Sequence, residues 1–442
     1  MLDEEKDYLV EEFDNEPDTW EKGEEEEKTA FLATLATRGE KESETEASLN
    51  ELGKLAETAG IAVLGKYTQK RENPESSTYF GKGFLEELSR KMHQNNADFL
   101  IVNDELTPVQ ARNIENDYGI KVMDRTEIIL SIFHQHAHTK EAKLQVRLAE
   151  LQYQLPRLRR QSENYDQEHG AVRSRGGSAS RGMGEKQIEV DKRIIKDNIR
   201  KIKQAIAEIS KNKETQRKQR EKSKKICLVG YTNAGKSTLF NALTEAGVLV
   251  EDKLFATLDS TTRQLKLSTS FPVVISDTVG FISRLPHQLV ASFTATLMEV
   301  EDADLLLHIV DLSDERYEYY IEQVQSVLKE IGADNIPQIL VFNKIDLVDS
   351  IQLSLAKKRY PDAIFISALN KSHLEDLLQK VEEKLFQNRL YQMFLPYDKG
   401  SLASLLHEIG DIKKEEYQAD GIFLEAVINQ EDLHYFQDYL LT

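Results

Sequence analysis

Cysteine and long apolar stretches are scarce in this sequence. Its 442 residues include one cysteine, Cys227, which has no second thiol with which to form an internal disulfide. Apolar runs such as 303–310 are far shorter than the roughly 20 residues that a membrane-spanning helix needs. The first thirty residues are acidic, whereas a secretory signal has a basic start and an apolar middle. We therefore expect a cytoplasmic protein that contacts membranes, if at all, only peripherally.

Charge is distributed unevenly along the chain, whose net charge is -19. Residues 1–50 carry 18 acidic and 5 basic side chains, a net charge of -13, and residues 1–28 are too polar to bury a core. We expect residues 1–28 to form a disordered tail. Residues 141–225 carry 23 basic and 12 acidic side chains, a net charge of +11. This segment indicates a polyanionic partner, and two solvated, charge-laced helices are the alternative interpretation.

Strand-like and helix-like segments alternate in two parts of the chain, which predicts an α/β fold class. We expect an N-terminal α/β domain over 29–135 and a second α/β domain with a mostly parallel sheet over 225–390. Between them, apolar residues at helical spacing predict a helical hairpin over 136–224, whose helices cover 140–168 and 188–222. Five glycines in 170–184 predict a flexible loop at its tip. A helix, a β-hairpin and a last helix over 430–441 predict a small C-terminal α+β domain over 391–442.

A phosphate-binding loop is the strongest motif, because it lies between an apolar strand and a helix that begins near Lys236. The motif G-x-x-x-x-G-K-[ST] is matched by Gly230-Tyr231-Thr232-Asn233-Ala234-Gly235-Lys236-Ser237, and Thr238 follows it. In such a loop backbone N–H groups surround the phosphates, Lys236 reaches the β and γ oxygens, and Ser237 ligates Mg²⁺. Downstream, Asp277-Thr278-Val279-Gly280 follows another strand and is the predicted switch II. Its carboxylate can hold a Mg²⁺-bound water, and its glycine N–H can contact the γ-phosphate.

Two further segments indicate which base is bound. Asn343-Lys344-Ile345-Asp346 follows a predicted strand, and the carboxylate of Asp346 can accept from N1–H and N2 of guanine, a donor pair that adenine lacks. Ser367-Ala368-Leu369 follows the next strand and can bring a backbone N–H to the guanine O6. All four segments, in this order, resemble the P-loop GTPases. We therefore expect GTP and GDP as ligands and Mg²⁺ as cofactor.

Switch I is expected between residues 246 and 262. There Phe255-Ala256-Thr257-Leu258-Asp259 offers Thr257 as the threonine that ligates Mg²⁺, and Thr261 and Thr262 are the alternatives. Phe281 follows Gly280, where Ras-like proteins place a glutamine that orients water, so we expect slow hydrolysis that a partner accelerates. Asn233 suits a K⁺ ligand as in potassium-stimulated relatives, and a solvent-facing loop asparagine is the alternative.

Arginines accompany the glycine-rich loop of the predicted hairpin. Arg173, Arg175 and Arg181 can bind phosphates through two hydrogen bonds each or stack on unpaired bases. A loop of this kind suits folded RNA better than a duplex groove. We therefore expect these three arginines to bind RNA.

The sequence resembles the HflX-type GTPases over residues 29–395. The resemblance rests on Tyr79-Phe80-Gly81-Lys82-Gly83, Arg175-Gly176-Gly177, Arg181-Gly182-Met183-Gly184-Glu185, the P-loop through Thr238, and the segment 255–259. It implies a GTPase that binds the large ribosomal subunit and its RNA, splits or rescues stalled ribosomes and is stimulated by them. We expect it to act as a monomer. The alternative is a GTP-regulated adaptor that acts on protein or membrane partners.

Overall fold

The computed structural model describes residues 28–39, 41–168, 178–218, 223–244, 254–255, 258, 261–267, 272–284, 299–386, 388–429 and 432–441. They form two compact units. The first contains the described residues up to Gln216 together with 254–255, 258 and 284, and the second contains the others. The predicted tail lies outside the described residues except for Lys28, and the predicted division into five domains stays a prediction.

The first unit contains a four-stranded, all-parallel sheet in the order β2-β1-β3-β4. Its strands are β1 (Lys28–Ala36), β2 (Ile61–Lys70), β3 (Phe99–Val102) and β4 (Val122–Asp124). The helices that alternate with them are α1 (Glu42–Thr58), α2 (Lys82–Asn95), α3 (Pro108–Tyr118) and α4 (Arg125–His136). Local signals set these boundaries. Thr107 caps α3 in a capping box with Gln110, Pro108 opens the helix, and Gly119 ends it at φ 66°.

Two long helices complete the first unit. They are α5 (Lys140–Glu168) and α6 (Ser178–Lys218), and Leu144, Leu148 and Leu151 of α5 pack against Ile202 and Ala205 of α6. The predicted start of the second helix at residue 188 is wrong, because α6 begins ten residues earlier. Each glycine lowers helix stability by about 1 kcal/mol, but an existing helix gains a hydrogen bond with every residue added. The glycines at 182 and 184 therefore do not stop it.

A buried ionic cluster joins α5 to the sheet of the first unit. The Arg157 guanidinium donates to Asp124 at 2.9 Å, and the Tyr153 hydroxyl donates to Glu127 at 2.8 Å. Burial, and to a smaller extent the nearby Asp124 carboxylate, raises the pKa of Glu127 to about 8. Arg157 is thus engaged within the fold, although its charge contributed to the basic segment seen in the sequence.

The second unit is built on a six-stranded sheet in the order β10-β9-β8-β5-β7-β6, in which only the β6–β7 pair is antiparallel. Its strands are β5 (Lys224–Gly230), β6 (Thr261–Leu265), β7 (Val273–Asp277), β8 (Leu305–Asp311), β9 (Gln338–Asn343) and β10 (Ile364–Phe365). The helices described here are α7 (Lys236–Thr244), α8 (Tyr317–Glu330), α9 (Ser350–Arg359) and α10 (Leu374–Leu385). This mostly parallel sheet confirms the predicted α/β fold class.

The centre of this sheet contains a buried histidine. Leu307 and Ile309 of β8 belong to the main apolar core, so the residue between them, His308, lies on the opposite face. His308 is 2% exposed, and neither ring nitrogen has a hydrogen-bond partner among the residues that the structure describes. Burial, and secondarily Lys236, lower the pKa of His308 to about 4. Cys227 is also buried, and burial raises the pKa of its thiol well above the ordinary value.

A three-stranded antiparallel sheet, in the order β11-β13-β12, lies near the C-terminal end of the chain. It consists of β11 (Asn388–Pro396), β12 (Asp411–Gln418) and β13 (Gly421–Asn429), with α11 (Gly400–Ile409) between the first two strands. The predicted helix over 430–441 is wrong, because this segment forms 3-10 turns at Asp432–Tyr435 and Gln437–Tyr439. Leu440 is extended and forms an antiparallel bridge with Met393, and the Leu441 N–H donates to the Gln392 carbonyl of β11 at 2.8 Å.

None of the helices in the described ranges is long and apolar enough to cross a membrane.

Burial of the neutral His308 ring predicts a pH-dependent stability. The unfolded chain binds a proton at the ordinary pKa of 6.5, whereas the folded chain binds it at about 4. Titration of His308 therefore leaves the free energy of unfolding unchanged above pH 6.5 and lowers it as the pH falls toward 4, by about 2 kcal/mol at pH 5. In His308→Leu, urea unfolding should show a decrease in the free energy of unfolding from pH 7.5 to pH 5.0 that is smaller than in the wild type by that amount. The exposed His434→Leu is the control, and an unchanged pH dependence in His308→Leu would contradict the prediction.

Candidate nucleotide-binding site

The P-loop begins at the carboxyl end of β5, which lies between β8 and β7 in the sheet. Residues 230–235 turn from the strand, and Lys236 opens α7. Gly235 has φ +90°, and a Cβ there would lie 2.2 Å from Nδ2 of Asn343. Asn233 also has a left-handed backbone, with φ 61°. The loop thus needs glycine at 235 for both its conformation and its close approach to Asn343.

Lys236 is 6% exposed and lies folded against its own loop. Its ammonium donates to the carbonyl oxygens of Gly230 at 3.2 Å and Tyr231 at 2.9 Å. Burial lowers the pKa of Lys236 to about 8, and the Asp277 carboxylate acts in the opposite direction. The side chain therefore still carries most of its positive charge at neutral pH.

Asp277 ends β7 beside the start of α7. The Ser237 hydroxyl donates to its Oδ2 at 2.6 Å, whereas no residue in the described ranges hydrogen-bonds to its buried Oδ1. Burial raises the pKa of this carboxyl, and Lys236 and Ser237 counteract the increase. A hydroxyl and a carboxylate with an unused oxygen are the oxygen donors that Mg²⁺ prefers. The donor set fits a Mg²⁺ that takes most of its other ligands from phosphate and water.

Thr278, Val279 and Gly280 follow Asp277 in the second motif and lie close to β5 and the P-loop. The Thr278 hydroxyl donates to the Leu228 carbonyl of β5 at 2.6 Å. Val279 is half-buried and Gly280 is buried. Among the described residues no three histidine, cysteine, aspartate or glutamate side chains form a metal-binding group.

Asn343 connects the P-loop with the segment after β10. Its Nδ2 donates to the Ala234 carbonyl at 3.0 Å, and its Oδ1 accepts from the Ala368 N–H at 2.9 Å. Asn343 is 2% exposed and Ser367 is 1% exposed. Three segments that are far apart in the sequence therefore meet at one buried amide.

Asp346 lies in a short 3-10 turn, Ile345–Leu347, and its side chain is exposed. In the parts of the chain that the structure describes, no hydrogen bond or ion pair engages its carboxylate. Its neighbour Lys344 has φ 61° and pairs with Asp311 at 2.7 Å. Leu369 is 76% exposed. The arrangement presents an available acceptor at Asp346 near the end of the sheet.

The segment after Gly280 pairs with the P-loop. The Phe281 N–H donates to the Gly230 carbonyl at 3.1 Å, and the Thr232 N–H donates to the Phe281 carbonyl at 2.7 Å. Phe281 is 3% exposed, so its ring lies in the core. A buried apolar ring cannot orient a water molecule, so Phe281 cannot replace the glutamine that has this role in Ras-like proteins.

Switch I is described only in part. Phe255 and Leu258 are each 2% exposed, and the Phe255 ring contacts Phe133 of the same unit at 4.7 Å between centroids. Ala256, Thr257 and Asp259 lie outside the described residues. Thr261 and Thr262 begin β6, and the Thr262 hydroxyl hydrogen-bonds to Ser276 at 2.8 Å. Thr257 stays the predicted Mg²⁺ ligand.

The structure tests little of the predicted RNA contacts. Arg173 and Arg175 lie outside the described residues, and Arg181 belongs to α6 and not to the loop in which it was expected. Other residues of the nucleotide region were not singled out from the sequence. Tyr320 packs on Tyr231, and Asp311 holds Lys344. Neither Tyr320 nor Asp311 belongs to a motif. The aromatic residue at 231 was the one sequence signal for the packing of Tyr320 on the P-loop.

Three family models match consecutive parts of the chain. Their descriptions are GTP-binding GTPase N-terminal for residues 46–134, GTP-binding GTPase Middle Region for 136–220, and 50S ribosome-binding GTPase for 225–344. Together they cover the helical hairpin and most of the two large sheets.

Curated relatives match over most of their length. The GTPase HflX of Caldanaerobacter subterraneus is 43% identical over 404 residues, which are 90% of this chain and 91% of that protein. The GTPase HflX of Escherichia coli K12 is 38% identical over 378 residues, 84% of this chain and 87% of that protein.

Among solved structures, a complex of SsGBP with GDP is similar at 28% identity and a TM-score of 0.45, covering 80% of this chain and 98% of the other. With sequence relatives at this identity and coverage, the chain belongs to the HflX family of GTPases.

Proposed function

We propose that this protein, a GTPase that hydrolyses GTP to GDP and phosphate, acts on the large ribosomal subunit and splits or rescues stalled ribosomes. The main support for a ribosomal partner is the match of residues 225–344 to a family described as a 50S ribosome-binding GTPase. The net charge of +11 in residues 141–225 supports it, because ribosomal RNA is a polyanion.

The nucleotide would be held by residues from four loops. The backbone of 230–238 and the Lys236 ammonium would bind the phosphates, and the Gly280 N–H would contact the γ-phosphate. Asp346 would accept from the guanine N1–H and N2, with Lys344 covering the base and Ser367, Ala368 and Leu369 lining its O6 edge. The two hydrogen bonds of Asn343 support this assignment, because they fix the phosphate and base segments relative to each other.

The P-loop GTPase fold fits a dependence on Mg²⁺. Ser237 and Thr257 would be direct ligands, and Asp277 would act through a water molecule. A bound Mg²⁺ stabilises the negative charge that develops on the β and γ oxygens during phosphoryl transfer. Asn233 would hold a K⁺ beside the same phosphates. Since Phe281 is buried and cannot orient water, the protein would depend on its partner for fast turnover.

The hairpin would bring its arginines to RNA. In the GTP state the two switches would order around the γ-phosphate and favour the ribosome-binding conformation, and hydrolysis would release them.

Ribosome splitting can be tested by incubating intact ribosomes with the protein and GTP and separating them on sucrose gradients. We expect the amount of free subunits to increase. Binding to large subunits without such an increase would contradict splitting. Binding that resists ribonuclease would favour an adaptor for protein or membrane partners.

Replacing Lys236 by alanine should weaken GDP and GTP binding by about tenfold to a hundredfold, because a charge-assisted phosphate contact is lost. Isothermal calorimetry in magnesium buffer measures both affinities. The exposed Lys266→Ala removes one positive charge elsewhere in the same unit and should leave both affinities unchanged. Equal affinities in Lys236→Ala and the wild type would remove the phosphate assignment.

Replacing Asp346 by asparagine should shift preference from guanosine to xanthosine triphosphate. An amide cannot accept from both guanine donors, but its NH₂ group can donate to the additional xanthine oxygen. Competition against a fluorescent nucleotide gives the ratio of affinities. Asp349→Asn is the matched control, since Asp349 accepts from the Gln352 N–H at the start of α9 and asparagine caps helices as well. Unchanged GTP affinity in Asp346→Asn would refute base recognition by this residue.

Replacing Arg173, Arg175 and Arg181 by alanine should weaken binding to large subunits and reduce its salt dependence. Each lost phosphate contact should lower the slope of log affinity against log salt by about 0.7 to 0.9. Intrinsic GTP hydrolysis should stay unchanged. Co-sedimentation across a salt series measures the slope, and the exposed Arg38, Arg90 and Arg359, replaced together, are the charge-matched control. Equal slopes for the two triple variants would rule out these RNA contacts.

A further inference from the structure

Tyr231 is a P-loop residue whose side chain points to the segment after Gly280. It is 7% exposed, and its hydroxyl accepts a hydrogen bond from the Ser283 N–H at 2.6 Å. This is a short bond between a side chain of the first motif and the backbone beyond the second. The residue therefore connects two nucleotide-binding segments that are 52 residues apart in the chain.

The ring of Tyr231 rests on a fixed support in the same unit. It lies against the ring of Tyr320 in α8, with 4.1 Å between centroids and 31° between planes. The Tyr320 hydroxyl in turn accepts from the Arg316 guanidinium at 2.5 Å and lies 3.4 Å from an Asp314 carboxylate oxygen. The stacking of the two rings, which does not involve the Tyr320 hydroxyl, thus sets the position of the Tyr231 ring together with its own backbone.

Three hydrogen bonds fasten residues 281–283 to the P-loop. Two join backbone atoms of Phe281 to Gly230 and Thr232, and the third is the bond from Ser283 to Tyr231. The third depends on the Tyr231 side chain. Ser283 is the last residue of this stretch that belongs to the second unit, and Arg284, which follows it, has a left-handed backbone with φ 55°.

This fastening sets the position of Gly280 next to Lys236. A Cβ on Gly280 would lie 2.8 Å from the Thr232 Cα and 2.9 Å from the Lys236 Nζ. No side chain fits at this distance, so the backbone of Gly280 lies directly beside the ammonium group. The two groups assigned to the γ-phosphate are thus adjacent.

We propose that Tyr231 is a positioning residue that selects GTP over GDP and promotes hydrolysis by holding Gly280 beside Lys236. GDP has no γ-phosphate and gains nothing from this alignment, whereas GTP and its transition state contact both groups. The proposal rests on the assignment of Gly280 and Lys236 to the γ-phosphate. It does not depend on the ribosomal role.

The test compares Tyr231→Phe with Tyr320→Phe, using the full chain. Both variants keep the stacked rings and lose one hydroxyl, but only Tyr231→Phe loses the bond to Ser283. Calorimetry gives the affinities for GDP and for a non-hydrolysable GTP analogue, and single-turnover assays give the hydrolysis rate. In Tyr231→Phe the preference for the analogue over GDP and the rate should each fall about threefold to tenfold, the worth of one hydrogen bond. GDP affinity should stay within about twofold, and Tyr320→Phe should match the wild type.

Three results would overturn the proposal. One is a Tyr231→Phe variant with the wild-type preference and rate, and another is an equal effect in Tyr320→Phe. The third is an equal loss of GDP and analogue binding in Tyr231→Phe, which a merely structural role would produce. A failure of the γ-phosphate assignment appears differently, because Lys236→Ala would then keep the wild-type preference for the analogue over GDP.

Discussion

The buried amide of Asn343 is the interaction on which the nucleotide region depends. It donates to the P-loop at Ala234 and accepts from Ala368, so one side chain sets the spacing between the phosphate segment and the segment after β10. An aspartate could not donate, and a leucine could make neither bond. Because the amide is buried, loss of either partner would leave an unpaired polar group at a cost of about 1 to 3 kcal/mol. Glycine at 235 is required for the same reason, since a side chain there would collide with this amide.

Buried charge is the second constraint on the region. Lys236, Asp277 and His308 are all 6% exposed or less, and each has its pKa shifted toward the neutral form. The lysine compensates with carbonyl contacts and the aspartate with the Ser237 hydroxyl. A phosphate oxygen is a stronger acceptor for an ammonium group than a carbonyl is. The loop therefore holds a cation whose best partner is an anion of the kind that the motif predicts.

The sequence predicted the α/β class and the strands that precede each motif, because contiguous apolar runs and glycine-containing loops are local signals. It did not predict the extended end of the chain at Leu441, whose pairing with Gln392 depends on a strand nearly fifty residues away. It also placed the start of α6 too late, because glycine-rich sequence is locally typical of a loop, whereas an existing helix extends through Gly182 and Gly184. The link between Tyr231 and Ser283 was missed because it is a long-range contact and neither residue belongs to a recognisable pair. Motifs thus indicated which residues form the site, and long-range packing determined how they are connected.

The position of Cys227 has a practical consequence for spectroscopy. The only thiol of the chain lies within the central strand β5, and burial keeps it in its unreactive protonated form. Cysteines introduced on the surface would consequently be the only sites that react with a maleimide dye, with no need for a cysteine-free background. Pairs of dyes on the switches and the hairpin could then report distances in the otherwise native protein.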